Sequence, residues 1–124
     1  MRDHRTMDVF QLADDLTLKI YRATRSFPID ERYGLTAQLR RAAVSVGANI
    51  VECATRNSDR DFAHFLTVAY GSARELDYEL SLAARLGYFP EELAKAEILE
   101  LSSRLCRALR AFILSIRKAT ECNR

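Results

Sequence analysis

The sequence predicts an all-α fold, an antiparallel up-down-up-down bundle of four helices in a single domain over residues 1–124. Four stretches carry apolar residues at three- and four-residue spacing, the period of a helix with one buried face, and none has the two-residue alternation of a strand. Breaks at residues 27–28, 57–58 and 86–90 separate the four stretches. Because the connections are short, successive helices should lie side by side in opposite directions.

The first helix is predicted over residues 7–26 and the second over residues 35–55. The first ends at Phe27-Pro28, because proline disfavours helical geometry in the residue before it. Asp30-Glu31 can cap a short turn before the second helix. Gly47 interrupts the second helix, where glycine costs about 1 kcal/mol relative to alanine. We therefore expect another backbone to approach closely at Gly47.

The third helix is predicted over residues 59–86, with Ser58 as its N-cap and an acidic residue three positions later. Gly87 is placed to end it in a left-handed conformation. The core residues of this helix form a heptad seam: Phe62, Leu66, Ala69, Ala73, Leu76, Leu80 and Ala83. The fourth helix is predicted over residues 91–119, beginning after Pro90, and it frays near Ala119. Its core residues are Ile98, Ser102, Leu105, Leu109, Phe112 and Ile116.

The second helix has apolar residues on two sides. One stripe faces the predicted core: Leu35, Leu39, Ala42, Val46, Ile50 and Cys53. The second stripe, which we call the outer stripe, consists of Val44, Ala48 and Val51. A helix with two apolar faces needs a partner outside its own bundle, most simply another copy of the chain. We therefore predict a homo-oligomer with the outer stripe in its interface.

A polar seam separates the two stripes, and its members are Gln38, Arg41, Ser45, Asn49, Glu52 and Arg56. Partly buried polar groups must find hydrogen-bond partners. We interpret the seam as a structural network that fixes helix register or subunit geometry, in which Arg41, Ser45, Asn49 and Glu52 contribute most. The alternative is a polar pocket for a ligand or partner.

Basic residues cover the side of the fourth helix that faces away from its core: Arg104, Arg107, Arg110, Arg117 and Lys118. Repeated around an oligomer, this basic face would bind RNA or DNA phosphates without sequence preference. The alternative is a solvated face whose cations suit the negative end of the helix dipole. The formal net charge of +2 is too small to imply nucleic-acid binding by itself.

The sequence contains no catalytic, metal-binding or cofactor-binding motif, and we expect a protein that is not an enzyme. Histidine occurs at His4 and His64 alone, and helical di-iron sites need paired Glu-x-x-His motifs. The three cysteines form no CxxC pair. Cys53 and Cys106 fall at apolar positions and Cys122 in a frayed tail, which suits a reducing cytoplasm. No apolar run approaches the roughly 20 residues that span a bilayer, and no signal peptide is recognised.

Several segments together resemble the four-helix-bundle proteins related to the protein encoded in bacterial 23S rRNA intervening sequences. They are Phe27-Pro28, residues 31–36 (ERYGLT), 38–45 (QLRRAAVS) and 49–52 (NIVE), Ser58-Asp59, Phe62, Gly71-Ser72 and Glu75-Leu76. Where the family usually has glycine after the Asn-Ile-x-Glu element, this chain has Cys53.

The resemblance implies a ring, typically a homopentamer, without established catalytic residues. One branch of the family, the accessory variability proteins of diversity-generating retroelements, works beside a reverse transcriptase and binds nucleic acid. The sequence therefore favours a cytoplasmic homo-oligomeric scaffold. The alternative is an accessory protein that binds RNA or DNA through the basic face, beside a reverse transcriptase or rRNA.

Overall fold

The computed structural model describes residues 2–122, and four helices account for most of them. The helices are α1 (Asp8–Thr24), α2 (Leu35–Ala54), α3 (Asp59–Arg85) and α4 (Glu92–Cys122), with short 3-10 turns at His4–Thr6 and Ile29–Glu31. No strand occurs between residues 2 and 122. The prediction of an all-helical chain with four helices is confirmed.

One predicted feature of the helices is wrong. The fourth helix continues to Cys122 instead of fraying near Ala119, because no glycine or proline interrupts it and the Thr120 hydroxyl donates to the Ile116 carbonyl oxygen at 3.0 Å. The close approach expected at Gly47 stays a prediction: a Cβ placed there has no heavy atom within 4 Å among residues 2–122, so the approaching backbone would have to belong to another copy. The predicted caps of α3 are confirmed. Ser58 Oγ accepts from the Asp61 N–H at 3.1 Å, and Gly87 has a φ of +75°.

Each helix packs against the helices before and after it, and α1 also packs against α4. Every residue of the predicted core stripe of α2 and of the α3 seam is buried. The predicted core of α4 needs one correction, because Phe112 and Ile116 are half-buried while Ile113 is buried. Phe112 lies at the edge of the core, where its ring meets that of Phe62 at 5.8 Å.

Contacts between distant segments hold both ends of the bundle. At one end, the Phe27 ring lies 5.7 Å from that of Tyr88 and 5.2 Å from that of Phe89. At the other end, the Arg2 N–H donates to the Ala54 carbonyl oxygen at 2.8 Å, and its guanidinium lies 4.2 Å from the centre of the Phe62 ring. The connections between helices are therefore held by contacts of their own, in addition to the packing of the core.

Candidate interface and polar seam

The outer stripe of α2 lies on the surface of the single chain. Val44 is 47% exposed, Ala48 is exposed and Val51 is half-buried, and none of the three belongs to the buried core. On α3, Val68 is also exposed. It lies one helical turn before Ser72 and on the same side of the helix. An apolar surface on α2 and α3 is therefore free to contact another chain.

The middle of the polar seam joins α2 to α3. The Ser45 hydroxyl lies 2.9 Å from the Ser72 hydroxyl, and either oxygen can be the donor. The Asn49 amide donates to the Ser45 carbonyl oxygen at 2.8 Å and to its hydroxyl at 3.2 Å. The Ser45–Ser72 contact crosses between α2 and α3, whereas the two bonds of Asn49 lie within α2.

One end of the seam is an ion pair stacked on an aromatic ring. The Arg56 guanidinium pairs with the Glu52 carboxylate, and its central carbon lies 4.6 Å from the centre of the Phe65 ring. Such partly exposed pairs contribute at most about 1 kcal/mol. At the opposite end, Gln38 and Arg41 are exposed. The Arg41 side chain therefore remains available to a partner.

Glu79 lies close to Arg41, and the sequence did not identify it as part of the seam. Its side chain is 4% exposed, and within residues 2–122 neither carboxylate oxygen has a hydrogen-bond partner. Burial, with a smaller contribution from the Glu75 carboxylate, raises the pKa of Glu79 to about 6, whereas the Arg41 guanidinium lowers it. A carboxyl group in this position favours its neutral form near pH 5.

The residues missed by the sequence prediction do share a pattern. Ser72, Glu75 and Glu79 recur at three- and four-residue spacing beside the apolar seam of α3. This polar row faces the polar seam of α2, since Ser72 bonds to Ser45 and Arg41 acts on Glu79. The sequence pattern that could have identified Glu79 is therefore the pair of polar rows, one on α2 and one on α3.

The predicted basic face of α4 is divided between different grooves. Arg107 and Arg110 line a groove between α3 and α4, together with Arg74. Arg104 instead lies toward α1, in a groove that also contains three carboxylates: Asp15, Glu97 and Glu100. The reason is geometric, because a spacing of six positions places Arg104 and Arg110 about 120° apart around the helix.

The remaining basic residues of α4 lie farther along the helix. Arg117 lines a groove at the start of α3 that also contains Asp59 and Glu121. Lys118 is exposed. The five cations therefore do not form one continuous surface, and each of the four arginines shares its groove with at least one carboxylate.

The described chain offers few groups for acid–base or metal chemistry. No cluster of three His, Cys, Asp or Glu side chains in residues 2–122 is placed to hold a metal ion. His64 is exposed, with its ring 5.1 Å from that of Phe65. Burial raises the pKa of Cys53 and of Cys106 to about 11, which keeps both thiols protonated. None of the helices from α1 to α4 is both long enough and apolar enough to cross a membrane.

Comparison with known proteins identifies a family and a solved structure with a similar fold. The family model described as "23S rRNA-intervening sequence protein" matches residues 5–111. The crystal structure of a protein with unknown function from the S23 ribosomal protein family of Bacteroides thetaiotaomicron VPI-5482 is 24% identical to this chain, with a TM-score of 0.74. The alignment covers 85% of this chain and 94% of that chain, so the two share a fold. No curated protein matches the chain.

Proposed function

The chain belongs to the 23S rRNA-intervening sequence protein family, and we propose that it is a non-enzymatic scaffold that works as a homo-oligomer. The observation that carries the proposal is the outer stripe of α2, in which Val44 and Ala48 are exposed and Val51 is half-buried. Burial of such a stripe by another chain is favourable by about 25 cal/mol per Å² of apolar surface. The polar seam beside it supplies directional contacts that select one geometry.

The assembly proposed here is a closed ring, with five copies as the number that the family resemblance implies. In a ring the outer stripe meets a different face of the neighbouring copy, and the interface repeats until it closes. Within each copy the helices alternate in direction. Contacts at both ends of the bundle support this arrangement, since Phe27 after α1 meets Tyr88 after α3, and Arg2 before α1 meets Phe62 at the start of α3.

The unpartnered carboxyl group of Glu79 supports a role for the polar seam in assembly. A neighbouring copy placed over Arg41 would exclude water from this edge of α2. The attraction between Arg41 and Glu79 then strengthens, because it acts through a lower dielectric constant. Association of the chains would in this way strengthen the one attractive interaction that Glu79 has with the polar seam. We place the protein in the cytoplasm, where buried thiols such as Cys53 and Cys106 remain reduced.

Native mass spectrometry of the untagged protein and of two variants tests the scaffold proposal. Ala48→Glu puts a charge in the outer stripe, and Ala96→Glu puts the same charge on an exposed position of α4. We expect the wild type and Ala96→Glu to give the same multiple of the chain mass, near five. Ala48→Glu should give a smaller species with unchanged helix content by circular dichroism. A monomeric wild type, or an unchanged mass for a folded Ala48→Glu, would contradict the proposal.

The second candidate function is binding to RNA or DNA. The observation that favours it is the exposure of five cations on α4: Arg104, Arg107, Arg110, Arg117 and Lys118. Binding through phosphates should weaken steeply as salt rises. Fluorescence anisotropy of labelled RNA and DNA oligonucleotides at increasing salt concentrations measures this slope. Salt-independent binding, or no binding in low salt, would remove this candidate.

A further inference from the structure

A groove of about 520 Å³ lies between α3 and α4. Its lining residues come from both helices: Tyr70, Arg74, Asp77, Ser103, Cys106, Arg107 and Arg110. Pockets that hold small ligands have volumes of roughly 300 to 1,000 Å³. The groove is therefore large enough to hold a phosphorylated group.

The positive charges of this groove are poorly balanced by the chain itself. Arg74 and Arg110 form no ion pair with any residue from 2 to 122. Arg107 lies 3.7 Å from the Glu100 carboxylate, but such a contact between exposed side chains contributes little. Asp77 is the single carboxylate that lines the groove. It already accepts a hydrogen bond from the Ser102 hydroxyl at 2.9 Å.

One of the three arginines that line the groove, Arg107, is held in position by a hydrogen bond. Arg107 Nη1 donates to the Ser103 hydroxyl at 2.7 Å, which restrains the guanidinium at the wall of the groove. A restrained side chain loses less entropy when a ligand binds. Several arginines around one concave surface also concentrate the positive potential there.

We infer that the groove between α3 and α4 is a phosphate-binding site in which Arg74, Arg107 and Arg110 hold the anion. The planar guanidinium donates several N–H groups in a fork that matches two phosphate oxygens. The inference rests on the second proposed function, because it names the residues that hold a backbone phosphate of RNA or DNA. A free phosphorylated molecule has the same chemistry, and the experiment distinguishes the two sources.

The test compares two charge-matched double variants with the wild type. Arg74→Gln with Arg110→Gln removes two cations from the groove. Arg22→Gln with Arg25→Gln removes two exposed cations near the end of α1. Circular dichroism and native mass establish that all three proteins have the same fold and assembly. Pyrophosphate binding is measured by isothermal titration calorimetry, and binding of a labelled single-stranded oligonucleotide by anisotropy, both in low salt.

We expect the groove variant to lose on the order of tenfold or more in pyrophosphate affinity, and the control variant less than about twofold. A parallel loss of oligonucleotide binding would identify the source of the phosphate as nucleic acid. If the wild type binds pyrophosphate through the groove but no oligonucleotide, the inference stands and the second proposed function fails.

Two results would overturn the inference. If both double variants weaken oligonucleotide binding equally, nucleic acid binds a diffuse basic surface and the groove has no special role. If the wild type binds neither pyrophosphate nor the oligonucleotide in low salt, the groove does not bind phosphate.

Discussion

Tyr88 and Glu31 are separated by 57 positions in sequence, and the Tyr88 hydroxyl donates to Oε2 of Glu31 at 2.8 Å. The other carboxylate oxygen, Oε1, accepts from the N–H of Leu35, the first residue of α2, at 3.3 Å. The hydrogen bond to Glu31 raises the pKa of Tyr88. One carboxylate therefore joins the connection after α3 to the start of α2.

Gly34 allows this carboxylate to lie where it does. A Cβ at position 34 would lie 2.6 Å from Glu31 Oε1, so Gly34→Ala should displace the carboxylate from Leu35 and Tyr88. We expect the free energy of unfolding to fall by about 1 kcal/mol, as measured by urea denaturation. In a Glu31→Ala background the same substitution should cost less, because the clash is absent and only the preference for glycine over alanine at the N-cap remains. An equal loss in both backgrounds would contradict this explanation.

The raised pKa of Glu79 predicts how stability depends on pH. Its pKa is about 6 in the folded chain against an ordinary value of 4.5, so the folded chain binds the proton more tightly than the unfolded chain. Glu79 therefore stabilises the fold below pH 4.5, and this contribution is lost as the pH rises through 6. The expected loss is at most about 2 kcal/mol.

Replacement of Glu79 isolates this dependence on pH. Glu79→Gln remains neutral, so its stability should change less between pH 4.5 and 7 and should exceed that of the wild type at pH 7. Glu97→Gln removes an exposed carboxylate and is the control. Urea denaturation of all three proteins across this pH range measures the effect. The same pH dependence in wild type and Glu79→Gln would show that another group is responsible.

The two glycines within long helices, Gly47 and Gly71, predict gains in stability. A Cβ at either position has no heavy atom within 4 Å among residues 2–122. Alanine should therefore stabilise α2 or α3 by about 1 kcal/mol in each case. Thermal unfolding of Gly47→Ala and Gly71→Ala, with native mass as a control, measures this. A loss of assembly confined to Gly47→Ala would instead show that another copy approaches the backbone there.

The three cysteines should differ in reactivity. Cys53 and Cys106 are buried, whereas Cys122 is exposed on α4. A thiol-specific chromogenic reagent at pH 8 should therefore modify one thiol per folded chain and three after unfolding, since reaction requires an accessible thiolate. Cys122→Ser should show no rapid reaction. Rapid modification of two thiols in that variant would mean that the bundle opens readily.

The buried faces of α2 and α3 could be predicted because burial follows the helical period. Leu39 and Leu66, for example, recur in register with their neighbours and have no exposed surface. The predicted core of α4 differs from the observed one after Leu109, where Ile113 is buried and the predicted core residue Phe112 is half-buried. A periodic pattern does not specify how far a long helix rotates relative to its neighbours.

The polar residues that lie between two helices were harder to predict. Glu79 was not assigned to the seam, because the sequence analysis considered polar residues of α2 alone, yet Glu79 on α3 is buried and Arg41 lowers its pKa. Arg74 was missed because the groove it shares with Arg107 is formed by two helices, and a sequence gives no measure of their relative rotation. The separation of Arg104 from Arg110, by contrast, follows from their spacing along α4 and could have been predicted from the sequence.

The contacts at both ends of the bundle have a consequence for attack by proteases. A protease needs an extended segment that is free of its surroundings, yet Arg2 holds the end of α2 and Tyr88 holds the segment before it. Neither connection can be drawn into a protease while its distant partner remains bound. The rate of cleavage at these sites would therefore report how often helices of the bundle separate, and not how fast a single loop moves.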